Sequence, residues 1–118
     1  MINLEESQLL KGILEGCVLA IIARGETYGY EIISVLADYG FNEIQDGTLY
    51  PVLTRLEKRE LIICRIGKSP YGPKRKYFSI SEEGKKYLEQ FKKTYLDITE
   101  RANSIILGDG SKNEKKID

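Results

Sequence analysis

Between residues 61 and 80 the helical periodicity of this chain breaks. Leu61–Ile66 and Lys76–Ile80 are short runs rich in Ile, Tyr and Phe, the residue types that fill a pleated sheet. They flank Gly67-Lys-Ser-Pro-Tyr-Gly-Pro-Lys74, whose prolines and glycines exclude a helix and suit a hairpin tip. Every other long segment reads as helix, so these two strands have only each other to pair with. That one feature makes the fold class α+β and mainly helical. With 118 residues the chain is long enough for one core without disulfide or metal staples.

Ahead of the hairpin, residues 5–24 carry Leu10, Ile13, Leu14, Cys17, Val18, Ile21 and Ile22 at three-four spacing, a helix with one broad apolar face that Gly25 stops. Thr27 is the expected N-cap of a second helix through Tyr39, with Ile32, Ile33, Leu36 and one of Tyr28 or Tyr39 facing inward. After a connection over Phe41–Asp46, a third helix is expected from Thr48, as N-cap, to Arg59. Pro51 is tolerated there because first-turn amides lack helical partners. Leu49, Val52, Leu53 and Leu56 form its inner face. Thr48, Pro51, Thr54, Arg55, Lys58 and Arg59 lie outward, with Tyr50 at the boundary.

Past the hairpin, Ser81-Glu-Glu-Gly opens a long helix with carboxylates in its first turn, where they complement the helix dipole. Leu88, Phe91, Tyr95, Ile98, Ala102 and Ile105 follow at spacings of 3, 4, 3, 4 and 3, a heptad stripe. About 25 helical residues span nearly 40 Å, more than a small domain covers, so the stripe predicts a partner helix and a homodimer. The organisation expected is a domain over 1–81, a dimerisation helix over 82–107 and a disordered polar tail over 108–118.

Composition excludes several functions. There is no histidine, so no imidazole base, no Ser-His-Asp triad and no histidine metal ligand. Two distant cysteines, Cys17 and Cys64, make no zinc site and no disulfide framework, which suits a reducing cytoplasm. Cys17 falls on an apolar helix face and reads as a core thiol rather than a redox sensor. No phosphate-binding glycine loop occurs, no apolar run approaches membrane-span length, and MINLEES is acidic where an export signal is basic. Neither an enzyme nor a cofactor nor a metal is expected.

A formal net charge of zero conceals a segregation. Residues 1–64 sum to −5, whereas 65–81 hold Arg65, Lys68, Lys74, Arg75 and Lys76 and no acid. That segment is the hairpin. It is an anion-attracting patch or, on the bland reading, a loop kept solvated by charge.

Three helices, a two-stranded hairpin and a long helix follow the order of a winged helix-turn-helix domain. There the third helix enters the major groove and the hairpin flanks it. Element order and charge thus select one surface. Its candidate DNA-binding residues are Thr48, Tyr50, Pro51, Thr54, Arg55 and Lys58 on the third helix and Lys74, Arg75 and Lys76 on the wing. Tyr50 is alternatively a half-buried core aromatic, and Arg55 alternatively a surface ion-pair partner of Asp46 or of neighbours of Glu57. Strand alternation puts Lys74 and Lys76 on one face and Arg75 on the other. Tyr77 and Phe78 suit sheet packing better than base stacking.

The residues Tyr28-Gly-Tyr-Glu-Ile32, Gly47-Thr-Leu-Tyr-Pro51, Leu53, Arg55-Leu-Glu57, Leu61-Ile62 and Arg75-Lys-Tyr77 through Gly84 resemble the PadR family of bacterial transcriptional regulators. The match spans most of residues 9–90, and its GTLYPxLxRLE run is specific. A single C-terminal helix resembles the smaller PadR subgroup. The resemblance implies a cytoplasmic, dimeric protein, most often a repressor, that responds to phenolic acids, drugs or other small molecules. Two departures stand out. Glu60 occupies a position where the family usually has glycine, at a cost of about 1 kcal/mol if its backbone is left-handed. The chain also lacks tryptophan, which a drug-binding member uses in its C-terminal helices to sandwich ligands; Tyr95 falls near that position as the candidate effector contact.

The expected function is that of a homodimeric winged-helix repressor on a palindromic operator in double-stranded DNA, released by a small aromatic effector. The alternative is a winged-helix interaction module whose basic wing grips an acidic protein, without sequence-specific DNA binding.

Overall fold

The computed structural model describes residues 4–108. Helix α1 (Leu4–Ile22) is followed by α2 (Gly29–Asp38) and α3 (Asp46–Lys58), then strands β1 (Ile62–Ser69) and β2 (Gly72–Ile80), then α4 (Glu82–Asn103). A single π-helical turn, Ser104–Gly108, closes the described chain. This is an α+β, mainly helical winged-helix architecture with a long C-terminal helix. The expected polar tail lies, apart from Gly108, outside the described residues.

The chain divides into two compact units, one ending at Leu88 and one beginning at Glu89. The first unit holds the core. Val18, Leu19 and Ile22 of α1, Ile32 and Leu36 of α2, and Leu49, Leu53 and Leu56 of α3 are at most 2% exposed. Phe78, Leu61 and Ile62 carry that core to the base of the hairpin. Leu10, Leu14, Val18, Ile21 and Ile22 are buried as their spacing predicts, with Ile13 and Cys17 half-buried. Leu19, off that stripe, is fully buried as well, because α1 packs on α2, α3 and β2. Burial pushes the Cys17 thiol above its usual range, consistent with an inert core thiol.

Both expected threonine caps are displaced. Thr27 is buried and exchanges two backbone hydrogen bonds with Phe78, so it extends the sheet while Tyr28 caps α2. Its hydroxyl donates to Glu31. The N-cap of α3 is Gln45, three residues before Thr48, and no side chain bonds there. Pro51 therefore sits inside α3 rather than in its first turn, and cannot donate to the carbonyl of Gly47. Tyr39 is exposed and Tyr28 is the inward tyrosine. Ile44, in the connection before α3, is buried.

Helices α2 and α3 end alike. In α2 the amide of Gly40 bonds the carbonyl of Ala37 and that of Phe41 bonds Leu36, with Gly40 at φ 96°. In α3 the amide of Glu60 bonds Glu57 and that of Leu61 bonds Leu56, with Glu60 at φ 60°. Both are the paired-bond helix stop that demands a left-handed residue.

Strands β1 and β2 pair antiparallel from Ile62↔Ile80 to Lys68↔Lys74, with an irregularity at Ser69↔Gly72. Both run further than predicted, and only Pro70 and Tyr71 lie between them. None of the extra residues is buried, so no apolar burial pattern marked them in the sequence. Ser81 then joins β2 to α4. Its hydroxyl donates to the carbonyl of Glu60 at 2.7 Å and accepts from the amide of Gly84 at 2.9 Å, the bond expected of an N-cap.

In the second unit the stripe is graded. Phe91 and Ala102 are half-buried, while Tyr95, Ile98 and Ile105 are exposed, with Leu96, Ile106 and Leu107 beside them in sequence. Tyr95 stacks on Phe91 with ring centres 6.5 Å apart. The expected uninterrupted α-helix to residue 107 is not formed: α geometry ends at Asn103, and the π turn changes the phase at Ile105.

Candidate nucleic-acid interface

The inner face of α3 is set by Leu49, Val52, Leu53 and Leu56, all buried. Helical geometry therefore turns Thr48, Pro51, Thr54, Arg55 and Lys58 to solvent, and all five are exposed. The hydroxyl of Thr54 donates to the carbonyl of Tyr50 at 2.9 Å, leaving its oxygen to accept. Tyr50 is 43% exposed, and its hydroxyl reaches back toward α2. A Cβ on the buried Gly29 would lie 2.6 Å from that oxygen, so the approach needs glycine there.

The wing has two chemically different faces. On one, Lys68 stands opposite Lys74, and Lys76 opposite Ile66. Like charges directly opposed across a ladder repel, an arrangement that an anion would relieve. On the other face Arg65, opposite Tyr77, forms a two-bond ion pair with Glu26 at 2.6 and 2.7 Å and lies 4.5 Å over the Tyr77 ring. The hydrogen bond from Arg65 holds the Glu26 carboxyl below its usual range. Tyr77 meets Tyr28 edge-on at 5.9 Å, and Arg75 stacks 3.9 Å over Tyr28. Of the five wing cations read from sequence, Arg65 is thus neutralised and Arg75 is tied to aromatic rings. Lys68, Lys74 and Lys76 remain exposed.

An open groove of about 500 Å³ joins these parts. Tyr28 and Tyr30 at the start of α2, Tyr50 of α3, and Lys74, Arg75 and Lys76 of the wing line it. The start of α2, which has no side-chain cap, therefore shares a groove with two lysines. Tyr28 and Tyr30 were not among the predicted contacts. Their signal was the Tyr-Gly-Tyr-Glu run, whose glycine now has a geometric reason. Arg55 and Lys58 stand apart, nearer the end of α3. Arg55 approaches neither Asp46 nor Glu57; its ion-pair partner is Glu15 of α1, at 4.0 Å.

The family model for the transcriptional regulator PadR-like family matches residues 18–90, the segment that builds the core, α3 and the wing. The chain belongs to the PadR-like family. A Streptococcus transcriptional regulator of known structure is 45% identical, the match covering 83% of this chain and 96% of that one, with a TM-score of 0.73. A PadR-like regulator from Bacillus cereus is 41% identical over 86% of this chain and 99% of that one, with a TM-score of 0.75. PadR of Bacillus subtilis, solved in complex with operator DNA, shares the fold at 22% identity and a TM-score of 0.59, over 67% of this chain and 46% of that one. In this PadR-like regulator the residues that carry the family resemblance fall mainly on α2, α3 and the wing. Among its described residues no helix is long and apolar enough to cross a membrane.

Proposed function

We propose that this PadR-like regulator is a cytoplasmic repressor that binds a palindromic operator as a homodimer. The observation that carries this reading is the shared groove: Tyr50 of the helix-turn-helix faces Lys74 and Lys76 of the wing across one opening. In this reading Lys74 and Lys76 hold the phosphate backbone, while Thr48, Tyr50, Pro51 and Thr54 meet base edges and sugars, and Arg55 and Lys58 reach flanking phosphates. The operator complex of the Bacillus subtilis protein supports the choice of ligand. The exposed apolar residues Tyr95 and Ile98, with the half-buried Phe91 and Ala102, supply the dimer seam; Leu88, at the head of the expected stripe, is already buried in the core of the first unit, and Ile105 lies past the change of phase at the π turn. A small aromatic effector that stacks on Tyr95 would release DNA by favouring a dimer whose recognition helices are wrongly spaced.

The deciding experiment is a gel shift on DNA taken from directly upstream of the gene, against a scrambled duplex of equal length. Retarded operator with at least about a thousandfold preference supports the reading. Equal binding of both duplexes, or of neither, refutes sequence-specific repression.

A further inference from the structure

Glu15 is a carboxylate of α1 whose side chain is only 18% exposed, and two arginines of the DNA-facing segment converge on it. Arg59 donates from Nη1 to both carboxylate oxygens, at 3.2 and 3.3 Å, and lies 4.6 Å over the ring of Tyr87. Tyr87 adds its hydroxyl to Glu15 at 3.4 Å. Arg59 is therefore held twice. Arg55 is different: its Nε stands 4.0 Å from Glu15, at the limit of an ion pair, and its side chain is 58% exposed. Beside it opens a cleft of about 250 Å³ lined by Glu15, Thr48 and Arg55. Glu15 keeps Arg59 whether or not Arg55 stays, so leaving costs Arg55 little.

We propose that Glu15 is a positioning residue for Arg55: an anion behind α3 that competes with phosphate for that arginine and so limits sequence-independent binding. This rests on reading α3 as the DNA-facing helix. Phosphate contacts strengthen binding to every sequence alike, so a contact kept partly in reserve lowers the affinity for operator and random duplex by a similar factor and holds down occupancy of nonspecific DNA. Glu15 touches no nucleotide in this scheme and acts through Arg55.

The test is a double-mutant cycle of Glu15→Gln and Arg55→Gln in the full chain, measured on the operator and on a random duplex across salt. Glu15→Gln keeps an oxygen acceptor for Arg59 while removing the charge. It should tighten binding to operator and random duplex alike, about three- to tenfold near 0.1 M salt, and steepen the log–log slope by up to about 0.9, the share of one phosphate contact that Arg55 had withheld. The operator-to-random ratio should stay near its wild-type value, and Arg55→Gln in the same chain should cancel the gain. An unchanged slope in Glu15→Gln, a gain confined to one of the two duplexes, or a gain that survives Arg55→Gln overturns the role of Glu15. A wild-type protein that binds no duplex overturns the DNA reading and this inference together. Should Glu15→Gln not fold, Arg55→Gln alone decides. A shared arginine loses clearly less than 0.9 of slope, and a full loss refutes the competition.

Discussion

Arg75 lies with its guanidinium carbon 3.9 Å from the centre of the Tyr28 ring, although it sits between two lysines that face solvent. The contact joins the wing to the start of α2, and Tyr77 braces it from the side. A cation stacked on an aromatic face contributes about 0.5–1 kcal/mol at an exposed site, enough to hold a hairpin arm in register with its neighbour. The three adjacent cations therefore have two jobs. Lys74 and Lys76 are expected to meet phosphate, whereas Arg75 positions the strand that carries them.

Alanine at Lys74 or Lys76 should each lower the log–log salt slope of duplex binding by about 0.9, on specific and random DNA alike. Arg75→Ala should weaken binding with a smaller slope change, and Tyr28→Leu should reproduce it without altering charge. Fluorescence anisotropy across salt separates the two classes. Equal slope losses at Arg75 and Lys74 would show that Arg75 is a third phosphate contact.

Glu60 and Gly40 occupy equivalent positions in two helix stops of the same bonding pattern, yet only Gly40 has the residue that the geometry favours. The left-handed conformation costs a side chain with a Cβ about 1 kcal/mol. Glu60→Gly should therefore stabilise the protein by about 1 kcal/mol, offset in part by the greater freedom of glycine in the unfolded chain. A urea titration should show a higher midpoint at unchanged slope. A lower midpoint would mean that the Glu60 side chain has a compensating contact.

Glu60 also illustrates what a sequence exposes. Its strain was legible only through the family resemblance, which sets glycine where this chain has Glu60; the left-handed backbone itself appears in the structure. The inner face of α3 was legible because burial repeats at helical period, and the wing because five cations crowd one turn-rich segment. The caps were not. Gln45 bonds no backbone amide through its side chain, and Thr27 and Thr48, the better caps by type, are placed in a bridge and a first turn instead. Nor were the pairings that join distant segments. Glu15 and Arg59 are 44 residues apart, as Glu26 and Arg65 are 39 apart, and nothing local marks them as partners.

Gly84 tests the seat of α4 on the hairpin. An added Cβ would collide with the carbonyl oxygen of Leu61 and come within 2.7 Å of Ile80 Cγ1. Backbone on one side leaves no flexible atom to give way. Alanine would add about 1 kcal/mol of helix propensity, but overpacking against main chain costs about 1–3 kcal/mol, and here the upper end applies. Gly84→Ala should thus lower stability by about 2 kcal/mol net of propensity, read as a drop in urea midpoint. A stabilised variant would show that the first turn of α4 is not docked this tightly.

The Glu26–Arg65 pair predicts an acid-side dependence. Because the hydrogen bond from Arg65 lowers the Glu26 pKa on folding, the pair adds stability above the ordinary carboxylate value of 4.5 and loses it as pH falls through the lower folded value. Glu26→Gln should be less stable than wild type at neutral pH, and the difference should close in acid, as pH falls below 4.5 and through the lowered folded value. Thermal melts across that range check the sign. A gap that persists in acid would assign the effect to packing rather than to charge.

Ile98 is the midpoint of the C-terminal stripe and is 52% exposed in the single chain, an area that a second helix would cover. Ile98→Glu would place a carboxylate in that seam, and an uncompensated buried charge costs several kcal/mol, comparable with the free energy of a modest dimer. The core of the first unit, ending at Leu88, is built without Ile98. The mutant should therefore dissociate while helical circular dichroism is largely kept. A monomer holds one half-site and loses the effective concentration that couples two weak contacts, so operator affinity should fall toward the nonspecific level, about a thousandfold or more. Sedimentation and a gel shift on the same preparation test both steps. A mutant that stays dimeric places the seam elsewhere, and a monomer that grips the full operator like wild type would show that two-site binding is not what provides the affinity.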